Sequence, residues 1–192
     1  MDLSSGVDVT SSSKSDAWRT LSQIVEVRSR WITLVAERLG DSEGREFEYW
    51  RIEKSNSLLV VVEYRDLLIL PHPTYRPGVA RVTQDLAGGR FDGSLSKRST
   101  AQEILRREFR LAGTVKASIT ELNKTGWDVD SSTSNQQLYG VVANVDGSTE
   151  IPSSRIGMSF PATVQGGLSL RDDLTCLQCR AAVQAWLDRR IT

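Results

Sequence analysis

Cysteine and histidine are scarce in this chain: 192 residues hold only Cys176, Cys179 and the single His72. Two thiolates and one imidazole cannot fill a four-ligand zinc site. Two cysteines three residues apart, in a stretch that reads as helix, supply no disulfide framework and lack the helix-start setting near a βαβ unit that a redox pair occupies. They are read as small residues packing inside a C-terminal helix, and His72, between Pro71 and Pro73, as a loop or strand-end residue. Net charge is also missing. The 24 Lys and Arg cancel the 24 Asp and Glu, so no global field gathers nucleic acid or an anionic membrane, and any phosphate contact must be local. No run of about 18 apolar residues offers a membrane span. The stretch from Met1 to Asp16 lacks the apolar centre of a secretory signal. The expectation is a soluble cytoplasmic protein without nucleic-acid or membrane partners.

What is present is ordinary globular material. With 39% hydrophobic and 25% charged residues, and roughly 150 residues per domain, the chain predicts one domain and a tail. Residues 1–15 hold six serines and little periodic apolar signal, too little to offset the entropy of ordering, and are read as a disordered tail. Residues 16–192 form the domain. Short β-rich runs follow at Ile24–Val27, Trp31–Leu39, Glu46–Ile52, Leu58–Glu63 and Leu67–Leu70, with a turn cluster at Gly40–Gly44. They predict an antiparallel meander. The period changes over Thr100–Leu111, where Ala101, Ile104, Leu105 and Phe109 line one side of a helix capped by Ser99 or Thr100. Val115–Leu122 and Gln137–Val145 return to strand, and Arg171–Arg189 closes the chain as one amphipathic helix carrying Leu174, Leu177, Ala181, Ala182, Val183, Trp186 and Leu187. This order gives an α+β fold, a mixed β-sheet sandwiched between helices with an N-terminal antiparallel strand meander.

The most informative stretch runs from Tyr75-Arg76-Pro77 through Asp85-Leu86-Ala87-Gly88-Gly89 into that first helix. Glycines at a strand end before a loop and helix let backbone approach a phosphate or a metal. Order and spacing together resemble the ADP-ribose pyrophosphatase branch of the Nudix hydrolases. The Nudix box runs Gly, five residues, Glu, seven residues, then Arg-Glu-apolar-any-Glu-Glu-any-Gly-apolar; this branch carries Glu-Leu-Pro-Ala before the box glycine and Gln-Tyr-Arg-Pro further upstream. Here Asp85-Leu86-Ala87-Gly88-Gly89 stands for the former and Tyr75-Arg76-Pro77 for the latter. Trp31–Val35, Gly44 and Glu48–Ile52 resemble the family's N-terminal strands, and Gly166-Gly167 through Thr175 its lead-in to the last helix. The likeness covers about residues 24–189.

The chain departs from the box where the chemistry is concentrated. Counting from Gly89 puts Leu95 at the first Glu, Ile104 and Arg107 at two others, Arg110 at the second Gly and Leu111 at the last apolar position; Glu108 alone keeps its acid. Magnesium at neutral pH is held by several carboxylate oxygens, and pyrophosphate hydrolysis uses such ions to neutralise phosphoryl oxygens and activate water. Glu103 cannot substitute, because five residues turn it about 140° around the helix from Glu108. A count from Gly93 puts Ser99, Leu111 and Ala112 at acid positions and again leaves only Glu108. The family's further acid, in a loop after the helix, falls in Asp128–Gln137 at or beside Gln136, and an amide neither deprotonates water nor anchors magnesium well.

Two readings of Arg107 stand. Its guanidinium occupies part of the cation's place, touching phosphate or Glu108, or it is a solvated member of the row Arg106, Arg107 and Arg110. Arg51 and Arg76 match positions that the resemblance implies lie near substrate phosphates and the terminal ribose; Arg76, beside Pro77, serves equally as a turn buttress. Trp31, Tyr49 and Trp50 are stacking candidates for an adenine or core residues of the meander. The candidate substrate-binding set is therefore Arg51, Arg76, Gly88, Gly89 and Arg107, with Glu108 the one catalytic or metal candidate. The resemblance implies a homodimer that exchanges its N-terminal strands, residues 16–55. The function expected is a catalytically inactive or very weak binder of a nucleoside diphosphate sugar such as ADP-ribose, with no cofactor. The alternatives are a hydrolase using Mg or Mn on an unconventional set from Asp85, Asp92, Glu108 and Asp128 or Asp130, and a dimeric protein-interaction scaffold.

Overall fold

The computed structural model describes residues 17–113 and 115–191, which fall into two compact units, one ending at Glu53 and the other starting at Lys54. The serine-rich residues 1–15 lie outside the described residues.

The first unit is one three-stranded sheet in the order β1 (Arg19–Arg28), β2 (Ile32–Gly40), β3 (Glu46–Lys54). β1 and β2 run antiparallel from Arg19 opposite Gly40 to Arg28 opposite Thr33. The Gly40–Gly44 turn forms because the Asp41 carboxylate accepts from the backbone N–H of Glu43 and Arg45 at 2.9 and 3.0 Å, and Gly44 takes φ +83°. The expected single meander ends here. The next strand belongs to another sheet.

In the second unit β4 (Asn56–Tyr64), β5 (Leu67–Leu70), the β6–β7 hairpin (Thr74–Arg76 and Arg81–Thr83) and β8 (Ala87–Phe91) precede α1 (Lys97–Glu108). β9 (Ala117–Glu121), β10 (Trp127–Asp128), β11 (Gln137–Val145) and β12 (Met158–Pro161) follow, then α2 (Val164–Asp173) and α3 (Leu177–Ile191). β4 and β11 pair in parallel from Ser57 beside Leu138 to Tyr64 beside Val145; β5 and β8 pair antiparallel with β4 along its other edge. β12 adds to β5, while β9 and β10 add to β11. A strand with neighbours on both edges and helices on both faces must be apolar throughout. Leu58–Val62 is. Leu58, Val60 and Val62 join α1 residues Ile104, Leu105 and Phe109 in one core, while Leu59 and Val61 join Leu170, Val183, Trp186 and Leu187 of α2 and α3 in the other. The period-2 alternation of one strand thus separates two cores, and the mixed sheet lies between helices as expected. Among the described residues no helix is long and apolar enough to cross a membrane.

Two helix boundaries differ from the sequence reading. α1 starts three residues early because Ser96, not Ser99 or Thr100, is the cap, its Oγ accepting from Ser99 N–H at 3.1 Å. The expected single terminal helix is two helices. α2 ends at Asp173, Leu174 takes extended backbone at its C-cap, and α3 starts afresh at Leu177. Leu177 accordingly lies out in solvent rather than on the apolar face.

Candidate functional site

The site is built where β8 passes under α1. Gly89 has no side chain because there is no space for one: a Cβ there would come within 3.2 Å of both Ile104 Cγ1 and Arg107 Nη2. Beyond the helix, Arg110 sits in left-handed backbone, φ +50°. Leu111 N–H reaches the Arg106 carbonyl at 2.9 Å and Arg110 N–H the Arg107 carbonyl at 3.4 Å, which completes a Schellman closure with arginine where glycine is usual. Gly89 against positions 104 and 107, and left-handed backbone at 110, match the box counted from Gly89. A non-glycine residue there costs about 1 kcal/mol. Arg110→Gly is therefore expected to raise stability by about that amount, read as a higher urea midpoint with an unchanged slope.

Arg107 is not merely solvated. Its Nη2 donates to the Gly88 carbonyl oxygen at 2.5 Å and to Glu108 Oε1 at 2.7 Å, and its Nε donates to the same Oε1 at 3.0 Å. One cation thus ties a strand carbonyl to a helix carboxylate. Ile104 is buried in the core beneath Gly89 and Leu95 is exposed, so neither offers an oxygen to this place.

The remaining candidate acids are engaged one by one. Asp92 accepts from Ser94 N–H and Oγ, and Asp130 from the backbone and hydroxyl groups of Ser132 and Thr133. Those donors hold the Asp92 carboxyl below its usual range and the Asp130 carboxyl at about 2, the Ser94 and Thr133 hydroxyls contributing most respectively. Asp128 accepts from Gln137 Nε2 at 3.4 Å. Gln136 is a buried crosslink, its Nε2 donating to the Ser55 carbonyl at 3.1 Å and to Ser57 Oγ at 2.8 Å. The acids of the unconventional set do not gather into a three-ligand group among the described residues; the group that does is Asp85 with Cys176 and Cys179.

Arg76 extends from β6 to Asp85, Nε to Oδ2 at 2.8 Å, and Thr83 Oγ1 donates to the same oxygen at 2.9 Å. The buttress reading of Arg76 has this partner, and its side chain remains half exposed. Arg51, on β3, donates to Glu37 at 2.9 Å and also pairs with Glu53, contacts that push its guanidinium further into the charged form, Glu37 foremost. Trp31 and Trp50 are about half exposed, with Arg30 stacked over the Trp31 ring at 4.6 Å. They are not core residues.

The expectation that both cysteines pack inside the terminal helix holds for Cys179, which is buried in α3, and not for Cys176. Because the terminal helix breaks, Cys176 precedes the first residue of α3 and Cys179 lies in its first turn. The two thiols interact: contact with Cys179, helped by the backbone N–H groups of Cys179 and Gln178, lowers the Cys176 thiol to about 6, and contact with Cys176, then burial, pushes the Cys179 thiol up.

A solved structure described as an ADP compounds hydrolase superposes on this chain with a TM-score of 0.69, covering 90% of this chain and 95% of that one at 20% identity. The chain has the Nudix fold. No family model matches the sequence, and no curated protein matches it. β8, the following loop and α1 bring Gly88, Gly89, Arg107 and Glu108 together on one strand and one helix. Arg51 belongs to the first unit and Arg76 to the hairpin of the second.

Proposed function

We propose that this Nudix-fold protein binds a nucleoside diphosphate sugar such as ADP-ribose and hydrolyses it very weakly or not at all, and that it works as a homodimer. The observation that carries the reading is the guanidinium of Arg107, bonded at once to the Gly88 carbonyl and the Glu108 carboxylate. A carbonyl oxygen and a carboxylate oxygen converging on one point are the donors a divalent ion takes, and here a side-chain cation takes both. The donor set does not fit magnesium or manganese: one carboxylate, already neutralised, is too few. Charge for a pyrophosphate remains, since Arg107 keeps N–H groups beyond those three bonds and guanidinium matches phosphate geometry.

The dimer reading rests on the first unit. Leu21, Ile24 and Val27 on β1, with Trp18, Trp31 and Trp50, are all at least 40% exposed, and β1 is the edge of its sheet. Exposed apolar side chains on and around an edge strand are what a second copy covers. Sedimentation should give twice the chain mass.

ADP-ribose should raise the melting temperature without turnover. At a hundredfold excess over its dissociation constant a ligand adds about 2.7 kcal/mol, or about 5–10 °C for a chain of this size. Phosphate-ester products accumulating with Mg²⁺ or Mn²⁺, and abolished by Glu108→Gln, would establish a hydrolase instead. A flat melting temperature without products would leave the scaffold.

A further inference from the structure

Asp85 and the two cysteines approach from opposite parts of the second unit, the carboxylate from the link between β7 and β8 and the sulfurs from the start of α3. One oxygen and both sulfurs lie within 4.8 Å of one another. We propose that Asp85, Cys176 and Cys179 form a zinc site, with a water or an added ligand in the fourth position. Bond lengths of about 2.3 Å to sulfur and 2.0–2.2 Å to oxygen set the donors of a tetrahedral zinc about 3.5–3.8 Å apart. Closing this triangle onto an ion asks each donor for a movement of about half an ångström on that geometry. Two thiolates with one carboxylate select zinc over magnesium or calcium, which take oxygen ligands.

The carboxylate is already oriented for this. Oδ2 of Asp85 is held by Arg76 Nε and Thr83 Oγ1, while Oδ1 faces Cys179 Sγ at 4.0 Å. A ligand whose far oxygen is fixed by neighbouring donors keeps its near one aimed at the metal. Charge balances as well: two thiolates, one carboxylate and Zn²⁺ sum to minus one, and Arg76 returns it to zero. A disulfide-forming pair would have no use for the third donor. The ion would fasten the segment before β8, which carries Gly88 and Gly89, to the helix that ends the chain. The test of the site does not use nucleotide.

The test is titration of the reduced, chelator-treated protein with Zn²⁺ and with Co²⁺ as a spectroscopic substitute. One equivalent should bind, Co²⁺ giving a thiolate charge-transfer band and tetrahedral visible bands, with protons released and the melting temperature raised. Cys176→Ser should remove the charge-transfer intensity of one sulfur and weaken zinc binding more than a hundredfold, and Asp85→Asn should weaken it with both sulfur bands kept. Thr83→Val, which frees Oδ2, should cost about 10–100-fold. Cys176 is only partly buried, so its variant serves if Cys179→Ser fails to fold. Absence of zinc binding by the folded reduced protein, or affinity unchanged in Cys176→Ser, overturns the site. So does an intramolecular disulfide that forms as fast with one equivalent of zinc as without it.

Discussion

Replacing Arg107 by glutamate is expected to raise the affinity for Mg²⁺ or Mn²⁺ on the order of a hundredfold. The change turns a side chain of charge plus one into one of minus one beside Glu108. For a divalent ion at about 5 Å in a water-like dielectric that is about 3 kcal/mol before salt screening, hence about two decades in affinity. The water-like value applies because the Arg107 side chain is 59% exposed. The substitution also releases Glu108 Oε1 and the Gly88 carbonyl, both now taken by the guanidinium, so the new carboxylate, the old one and the strand carbonyl become available together. Calorimetric titration with Mn²⁺ in low salt measures it, with Arg107→Gln as the control that removes the cation without adding an acid. Equal affinity in Arg107→Glu and the parent would mean that Arg107 does not occupy the cation's place. Activity need not follow, because Ile104 is committed to the core and cannot be exchanged for an acid without burying a charge.

That arrangement explains which parts of the site could be read from sequence. The Gly89 count required only a regular helix and an unbroken spacing, and both are local properties; the contact of Gly89 with Ile104 and Arg107 follows from them. The binding mode of Arg107 did not follow, because a row of three arginines on a helix ordinarily faces water and nothing in spacing says that a strand carbonyl lies within reach. The strands were legible for a similar reason. Leu58–Val62 is apolar without alternation, the mark of a strand covered on both faces, yet which edge it gives to β11, some eighty residues on, and which to the nearer β5 and β8 is settled by tertiary packing.

The misread terminal helix has a physical cause that sequence did carry. In a helix starting at Arg171, Asp172 and Asp173 fall in the first turn, where acids are favoured, which supports that start; in the structure they end α2, where they oppose its dipole, and stand just ahead of α3, where they favour it. Leu174 is buried at the break and hides it, since it continues the apolar period across the gap. Reading the period alone merged two helices into one, and with that the cysteines were placed mid-helix instead of at a helix start opposite Asp85.

Gly166→Ala should destabilise the protein by about 3 kcal/mol or more, the reverse of what alanine ordinarily does in a helix, where it gains about 1 kcal/mol over glycine. A Cβ at Gly166 would sit 2.0 Å from the Pro161 carbonyl oxygen, 2.9 Å from its carbon and 3.1 Å from its nitrogen. All three are backbone atoms of β12, which is hydrogen-bonded to β5, so no side chain can swing aside; α2 would have to lift from the sheet. Gly167, one residue on, is filled from the other side, its Cβ position 2.4 Å from the fully buried Trp186 ring, and lifting α2 would unseat α3 with it. A loss of 3 kcal/mol corresponds to about 6–12 °C in melting temperature for a chain of this length. Gly147→Ala, with nothing within 4 Å of its Cβ position, is the control and should stay within about 0.5 kcal/mol of the parent. Because α3 carries Cys179 and begins one residue after Cys176, the same variant should also weaken zinc binding, a loss that the Gly147 control does not share. A melting temperature unchanged by Gly166→Ala would mean that α2 does not lie this close to β12, and would remove the support for the placement of α3.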